Sequence, residues 1–156
     1  MKKVFQFIVS IIISFIPGFI GMSFSPTGDS DLWYNGLVKS MLTPDGWVFA
    51  TVWPILYFLL GIALFLIITD KSRQNKTKAY WLFIAQMALN AFWSYLFFGL
   101  QLTGVALLSL IVLFGFSLWM TRVFYQIRHS ASYLVWPYLI WQLFAMFLNG
   151  VIVYLN

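Results

Sequence analysis

Apolar residues run along this chain in five long blocks separated by short polar intervals. The blocks cover residues of about 4–25, 46–69, 79–100, 104–125 and 133–155. Each has the roughly 20 residues that an α-helix needs to cross about 30 Å of hydrocarbon. Between the third and fourth blocks only Gln101-Leu102-Thr103 intervenes, which makes those two helices antiparallel neighbours. The longest interval, 26–45, is polar and rich in aromatics. The pattern predicts an all-α integral membrane protein, a five-transmembrane-helix bundle forming one domain over 1–156.

Local signals refine the blocks. The first follows Lys2 and Lys3, as a secretory signal core would, but its apolar run of about 20 residues exceeds the usual 7–15, so a retained first span is expected. Pro17-Gly18 inside it is expected to kink the helix or loosen its outer end. At the second block, Thr43 is the expected N-cap with Pro44 at the first helical position. Trp53 and Tyr57 then fall one turn apart on one face.

Composition changes the picture by naming the solvent. Of 156 residues 62% are hydrophobic and only 8% charged, against roughly a quarter charged in a soluble domain. The net charge of +5 suggests nucleic acid until its location is traced. Eight of the nine basic residues (Lys2, Lys3, Lys71, Arg73, Lys76, Lys78, Arg122 and Arg128) fall on the side shared by the N-terminus and the 70–78 and 126–132 loops. Only Lys39 lies opposite. The positive-inside rule then places the N-terminus in the cytoplasm and the C-terminus and the 26–45 loop outside, in what is expected to be a bacterial cell membrane. The basic loops face anionic headgroups, and no nucleic-acid partner is expected.

The inventory of reactive groups excludes most enzyme classes. There is one histidine, His129, no cysteine, no glutamate and four aspartates, all in or beside loops. No metal cluster, nucleophile triad or carboxylate pair can be built inside the membrane from these, so no metal and no required cofactor are expected. What remains is polar and aromatic. Gln86, Asn90, Trp93, Ser94 and Phe97 share one face of the third span, and Trp141, Ala145 and Asn149 recur every four residues on the fifth. Such groups are costly against lipid and should point inward. Spacing leaves two readings open: the amides glue helices together, or they line a ligand pocket with the 26–45 loop as its lid. Trp47, Trp81, Trp119 and Trp136 lie near helix ends and read as an interfacial belt, whereas Trp53, Trp93 and Trp141 lie deeper.

Three stretches carry a resemblance. Trp33-Tyr34, Leu37, Lys39, Pro44, Trp47-Val48-Phe49, Trp53 and Leu56-Tyr57 resemble the first loop and second helix of the TspO/MBR family, the tryptophan-rich sensory and translocator proteins. Ala88-Leu89-Asn90 with Trp93 and Phe97-Phe98-Gly99 is similar to that family's third helix, and Pro137-Tyr138-Leu139-Ile140-Trp141 with Leu148-Asn149 to its fifth. Where the family shows Lys-Pro-x-Trp-x-Pro-Pro, this chain reads Lys39-Ser40-Met41-Leu42-Thr43-Pro44-Asp45, without the tryptophan and one proline. The basic residue of the animal sterol-recognition pattern is missing after Asn149, which weakens a sterol-like ligand.

The resemblance implies a receptor or sensor that binds tetrapyrroles, notably protoporphyrin IX. Its pocket would be lined by Tyr34, Pro44, Phe49, Trp53, Tyr57, Asn90, Trp93, Trp141 and Ala145. A broad flat ring suits an aromatic cleft with few hydrogen-bonding groups, and its propionates would lie near Lys39. The family is also linked to light-dependent porphyrin breakdown, with Trp53 and Trp141 in the implicated positions; binding rather than catalysis is the main expectation. Two other readings are a transporter of porphyrin or lipid-like molecules, which would release cargo across sealed vesicles, and a structural scaffold, whose porphyrin affinity would survive Trp53→Ala and Trp141→Ala. Ala85, Ala88 and Ala91 make a small-residue ridge suited to a homodimer through the third helix.

The topology is directly testable because the chain carries no native cysteine. In intact cells a membrane-impermeant maleimide is expected to label Ser40→Cys and spare Ser72→Cys. The reverse pattern would invert the orientation.

Overall fold

The computed structural model describes residues 1–25, 32–72 and 74–156. Arg73 and residues 26–31 of the first loop, with Asp29 and Asp31, lie outside the described residues. The fold is helical throughout. α1 (Lys2–Met22) is followed by a short α2 (Leu32–Gly36) in the first loop, α3 (Gly46–Thr69) and α4 (Thr77–Ser94). One π-type turn, Tyr95–Gly99, ends the third span. α5 (Thr103–Ile127), a short α6 (His129–Tyr133) and α7 (Trp136–Leu155) complete the chain. Five helical stretches of 21–27 residues are long and apolar enough to cross a membrane. They fall where the five apolar blocks fall.

Some boundaries differ from the sequence reading, each for a local reason. The second span begins at Gly46 with Asp45 as its extended N-cap, and not at Thr43-Pro44. The stretch before it forms a turn, with the Thr43 amide donating to the Ser40 carbonyl at 2.9 Å, and Val48 N–H donates to the Asp45 carbonyl at 3.0 Å as the helix begins. α1 runs through Pro17-Gly18 to Met22. Gly18 serves close packing there: a Cβ would sit 2.7 Å from the Tyr57 ring. The last span is interrupted at Leu134 and Val135 because Pro137, in the first turn of α7, has no N–H to continue the ladder. Between the third and fourth spans Gln101 takes φ 58°, and Leu102 donates to the Leu96 carbonyl at 2.9 Å, closing the turn.

In space α1 packs on α3 and α4, α4 on α5, and α5 on α7. Outward faces carry exposed isoleucine, leucine and phenylalanine, such as Ile8, Ile12, Ile16 and Phe19 on α1. The polar residues are the buried ones: Ser10, Ser14, Gln86, Asn90, Ser117, Gln142 and Asn149. This inverts a soluble protein and fits a bilayer as solvent. Trp47, Trp81, Trp119 and Trp136 are exposed, as a belt requires. Ala88 of the small-residue ridge is also exposed, with Ala85 and Ala91 half-buried.

The two ends of the bundle are built differently. The end carrying the 70–76 loop is close-packed by Leu60, Ala63, Ile67, Phe83, Met120 and Phe124. There Gln74 donates to the Gln126 carbonyl at 2.9 Å, so the two loops meet on one side. His129 lies there too, stacked on Tyr125 at 4.1 Å. Hydrogen bonds from Ser72 hold the exposed Asp70 carboxyl below its ordinary pKa. The opposite half is filled mainly by aromatic rings and amides. That half holds the candidate site.

The α1–α3 crossing depends on Gly61. A Cβ there would lie 2.6 Å from Ile11 Cδ1 and 3.1 Å from the Ile11 Cα, which cannot move without the helix. Gly61→Val is expected to lower stability by ~1–3 kcal/mol, read as a lower melting midpoint in detergent. Gly115→Ala, with nothing within 4 Å of the new methyl, should not.

Candidate ligand-binding site

Three spans supply the site, and one hydrogen-bonded chain sets their level. Tyr57 of α3 donates its hydroxyl to Asn90 Oδ1 of α4 at 2.7 Å. Asn90 Nδ2 in turn donates to the Tyr138 hydroxyl of α7 at 3.0 Å. All three side chains are buried. In hydrocarbon no water competes for these groups, so an unpaired one is expensive and the chain fixes the register of three helices.

Aromatic rings gather on this chain. Trp53 stacks on Tyr57 with centroids 5.5 Å apart and planes 29° apart. Its edge contacts reach Tyr138 and Trp141, both at 6.4 Å. Phe49, one turn nearer the lid, meets Trp141 at 5.7 Å. These are contact separations for aromatic pairs. The rings therefore meet edge and face instead of standing apart across an open cleft. Among the described residues the Nε1–H of Trp141 is buried with no hydrogen-bond partner, as are both polar atoms of Gln86. A buried indole N–H without an acceptor is a donor waiting for one.

A second aromatic group lies above, under the first loop. Trp93 stacks on Phe97 at 5.5 Å and meets Phe98 at 6.0 Å. Tyr34 touches both phenylalanines, at 6.4 and 5.7 Å, and Trp33 touches Phe97 at 5.8 Å. Phe97 and Phe98 are adjacent in sequence and would diverge on a regular helix. The π-type turn, closed by Leu100 N–H to the Tyr95 carbonyl at 2.8 Å, widens the helix there and lets Tyr34 meet both.

One contact braces the lid internally, and another ties it to the end of α7. Lys39 donates to the Tyr34 carbonyl at 2.7 Å and lies 4.0 Å from that ring's centroid. Asn156 clasps Val38 with both ends of its amide, accepting from the Val38 N–H and donating to its carbonyl, each at 3.0 Å. Burial under these contacts raises the Tyr34 phenol above its ordinary pKa. It stays neutral at physiological pH.

The expected site residues thus separate into groups. Phe49, Trp53, Tyr57, Asn90 and Trp141 come together in the lower cluster, and Tyr34 and Trp93 in the upper one. Asn149 joins the upper cluster, accepting from Trp93 Nε1 at 3.2 Å and donating to the Thr103 carbonyl at 2.9 Å. Ala145 packs beside Leu110 and Leu113 of α5 and against Trp93. Pro44 is half-buried at the foot of the lid, just before α3. Asn90 and Asn149 do act as glue between helices, while among the described residues the Trp141 N–H and the Gln86 amide are left without partners.

Sequence reasoning passed over several participants. Tyr138 lies three residues before Trp141 and Gln142 four after Tyr138, so helical spacing could have found both. Gln142 donates to Ser117 Oγ of α5 at 3.0 Å. The Asn156–Val38 clasp spans 118 residues and no local pattern announces it.

Replacing Asn90 by leucine leaves the Tyr57 and Tyr138 hydroxyls without their partner. Asn90→Leu is expected to destabilise the bundle by ~1–2 kcal/mol in a detergent melt. Tyr57→Phe, which removes one of the two bonds, should cost less.

Comparison with known proteins places this geometry. The sequence profile of the TspO/MBR family matches residues 8–155. The chain is 37% identical over 154 residues to the tryptophan-rich protein TspO of Archaeoglobus fulgidus, covering 99% of each. It is 33% identical over 133 residues to the translocator protein of Homo sapiens, covering 84% of this chain and 78% of that one. With the tryptophan-rich sensory protein of Cereibacter sphaeroides it shares 34% identity over 119 residues, covering 76% and 73%.

Proposed function

The chain belongs to the TspO/MBR family, and from that premise we propose that it is a membrane receptor for tetrapyrroles, protoporphyrin IX foremost. The reading rests on one observation above the others: the contiguous cluster of Phe49, Trp53, Tyr57 and Trp141, which carries a single buried indole N–H without an acceptor. A porphyrin is a wide, flat, largely apolar ring with carboxylates at one edge. It exchanges ring–ring contacts within the cluster for ring–ring contacts with itself, so parting Trp53 from Trp141 is compensated by stacking on both. The Trp141 N–H finds its acceptor on the guest, and the carboxylates point toward Lys39 and the lid.

Titration of the purified protein with protoporphyrin IX, followed by tryptophan quenching, tests this. Saturable quenching is expected, with affinity falling about tenfold or more in Trp53→Ala and in Trp141→Ala, the scale of one lost stacking partner. Trp136→Phe, at an exposed belt position, should bind as the parent does. Quenching without saturation, or affinity unchanged in both cluster variants, contradicts the reading. Pigment loss in light against dark supplies a second readout. Indole is the most easily oxidised side chain in the cluster, so a light-dependent loss slowed in Trp53→Phe and Trp141→Phe assigns those two as electron donors. Equal rates leave the protein a receptor alone.

A further inference from the structure

A groove of about 520 Å³ opens between α4 and α5 at the end of the bundle that carries the 70–76 loop, far from the aromatic cluster. It is an open depression on the helix surface. One end is polar, formed by Asn75, Thr77 and Lys78 at the start of α4. The rest is apolar, with the indoles of Trp81 and Trp119 as walls and Ala85 and Phe116 deeper in. Both indoles are largely exposed, 67% and 48%. The groove therefore has a head and a tail, and it is oriented as the membrane is. Its polar end lies at the level of the loops, and its apolar end descends along two transmembrane helices.

Charge selects the occupant. Lys78 Nζ lies 4.7 Å from the centroid of the Trp119 ring, held over one wall of the groove. Among the described residues no carboxylate pairs with it. The neighbouring Lys76 is spent on the loop itself, donating to the carbonyls of Ile68 and Asp70. Lys78 is thus a cation supplied to the groove without a protein anion to answer it. The amphiphile that fits has a negative head and an aliphatic tail. We propose that this groove is a binding site for an anionic phospholipid of the adjacent leaflet, its phosphate on Lys78 and its upper acyl chain between Trp81 and Trp119. A zwitterionic lipid places its own cation beside Lys78 and is disfavoured. One near-surface basic residue changes affinity for an acidic lipid by about fivefold.

The indoles report on the site. The full-length protein is reconstituted in phosphatidylcholine vesicles and titrated with dibrominated phosphatidylglycerol or dibrominated phosphatidylcholine. The Trp81 and Trp119 contribution is isolated by subtracting the curve of the Trp81→Phe/Trp119→Phe double variant. That contribution is expected to quench at about fivefold lower mole fraction of the acidic lipid. Lys78→Gln should bring the two curves together, while Lys2→Gln, on the same side but outside the groove, leaves them apart. Matching curves in the parent protein overturn the proposal on their own, whether or not Lys78→Gln folds. So does a preference that survives Lys78→Gln. Indoles that neither lipid reaches also overturn it, and point to a second copy of the chain covering the groove.

Discussion

The structure turns on one buried chain of hydrogen bonds, Tyr57 to Asn90 to Tyr138. In lipid there is no hydrophobic force between helices, because the tails are as apolar as the side chains. Helices must be brought to a common level by something directional. A carboxamide with a phenol on each side does this for α3, α4 and α7 at once. The amide links the two hydroxyls, and the remaining surface of these helices can be given over to rings.

The rest of the site follows from that fixed level. With Tyr57 and Tyr138 in place, Trp53 has a face to stack on and two edges to meet, and Trp141 closes the group. One storey higher, a single π-type turn rotates the end of the third span so that Phe97 and Phe98 both meet the lid. The close-packed apolar base beneath gives rigidity, and the half above holds the aromatic surface.

Much of this was legible in the sequence, and the reason is the solvent. Hydrocarbon forbids exposed polar groups, so inward faces at Gln86, Asn90 and Asn149 could be read from helical spacing, and the belt tryptophans from their places at block ends. The meeting of Trp53 with Trp141 followed from the same logic. What escaped depended on partners distant in the chain or on backbone detail. Thr43-Pro44 looks like a cap and first helical residue, yet the helix begins at Gly46 behind Asp45. Pro17-Gly18 reads as a kink or a loosened end, while the close approach of the Tyr57 ring to Gly18 is visible only in space. The clasp of Asn156 on Val38 joins the lid to the far end of the chain, and an open cleft was expected where rings in fact touch. Periodicity reports which face is buried. It does not report how closely the buried faces approach.

The central proposal is that the Trp53–Trp141 cluster receives the ligand and that the buried, unpartnered N–H of Trp141 contacts it. Nitrogen-15 labelling of the indoles reads this directly, since each of the eight Nε1–H signals can be assigned by a Trp→Phe variant. On addition of protoporphyrin IX in the dark, the Trp141 signal should move furthest downfield as it gains an acceptor. Trp53 should shift by ring current, and Trp47 and Trp136 should stay in place. If Trp141 is unmoved while the belt indoles respond, the porphyrin sits on the outside of the bundle and the account is wrong.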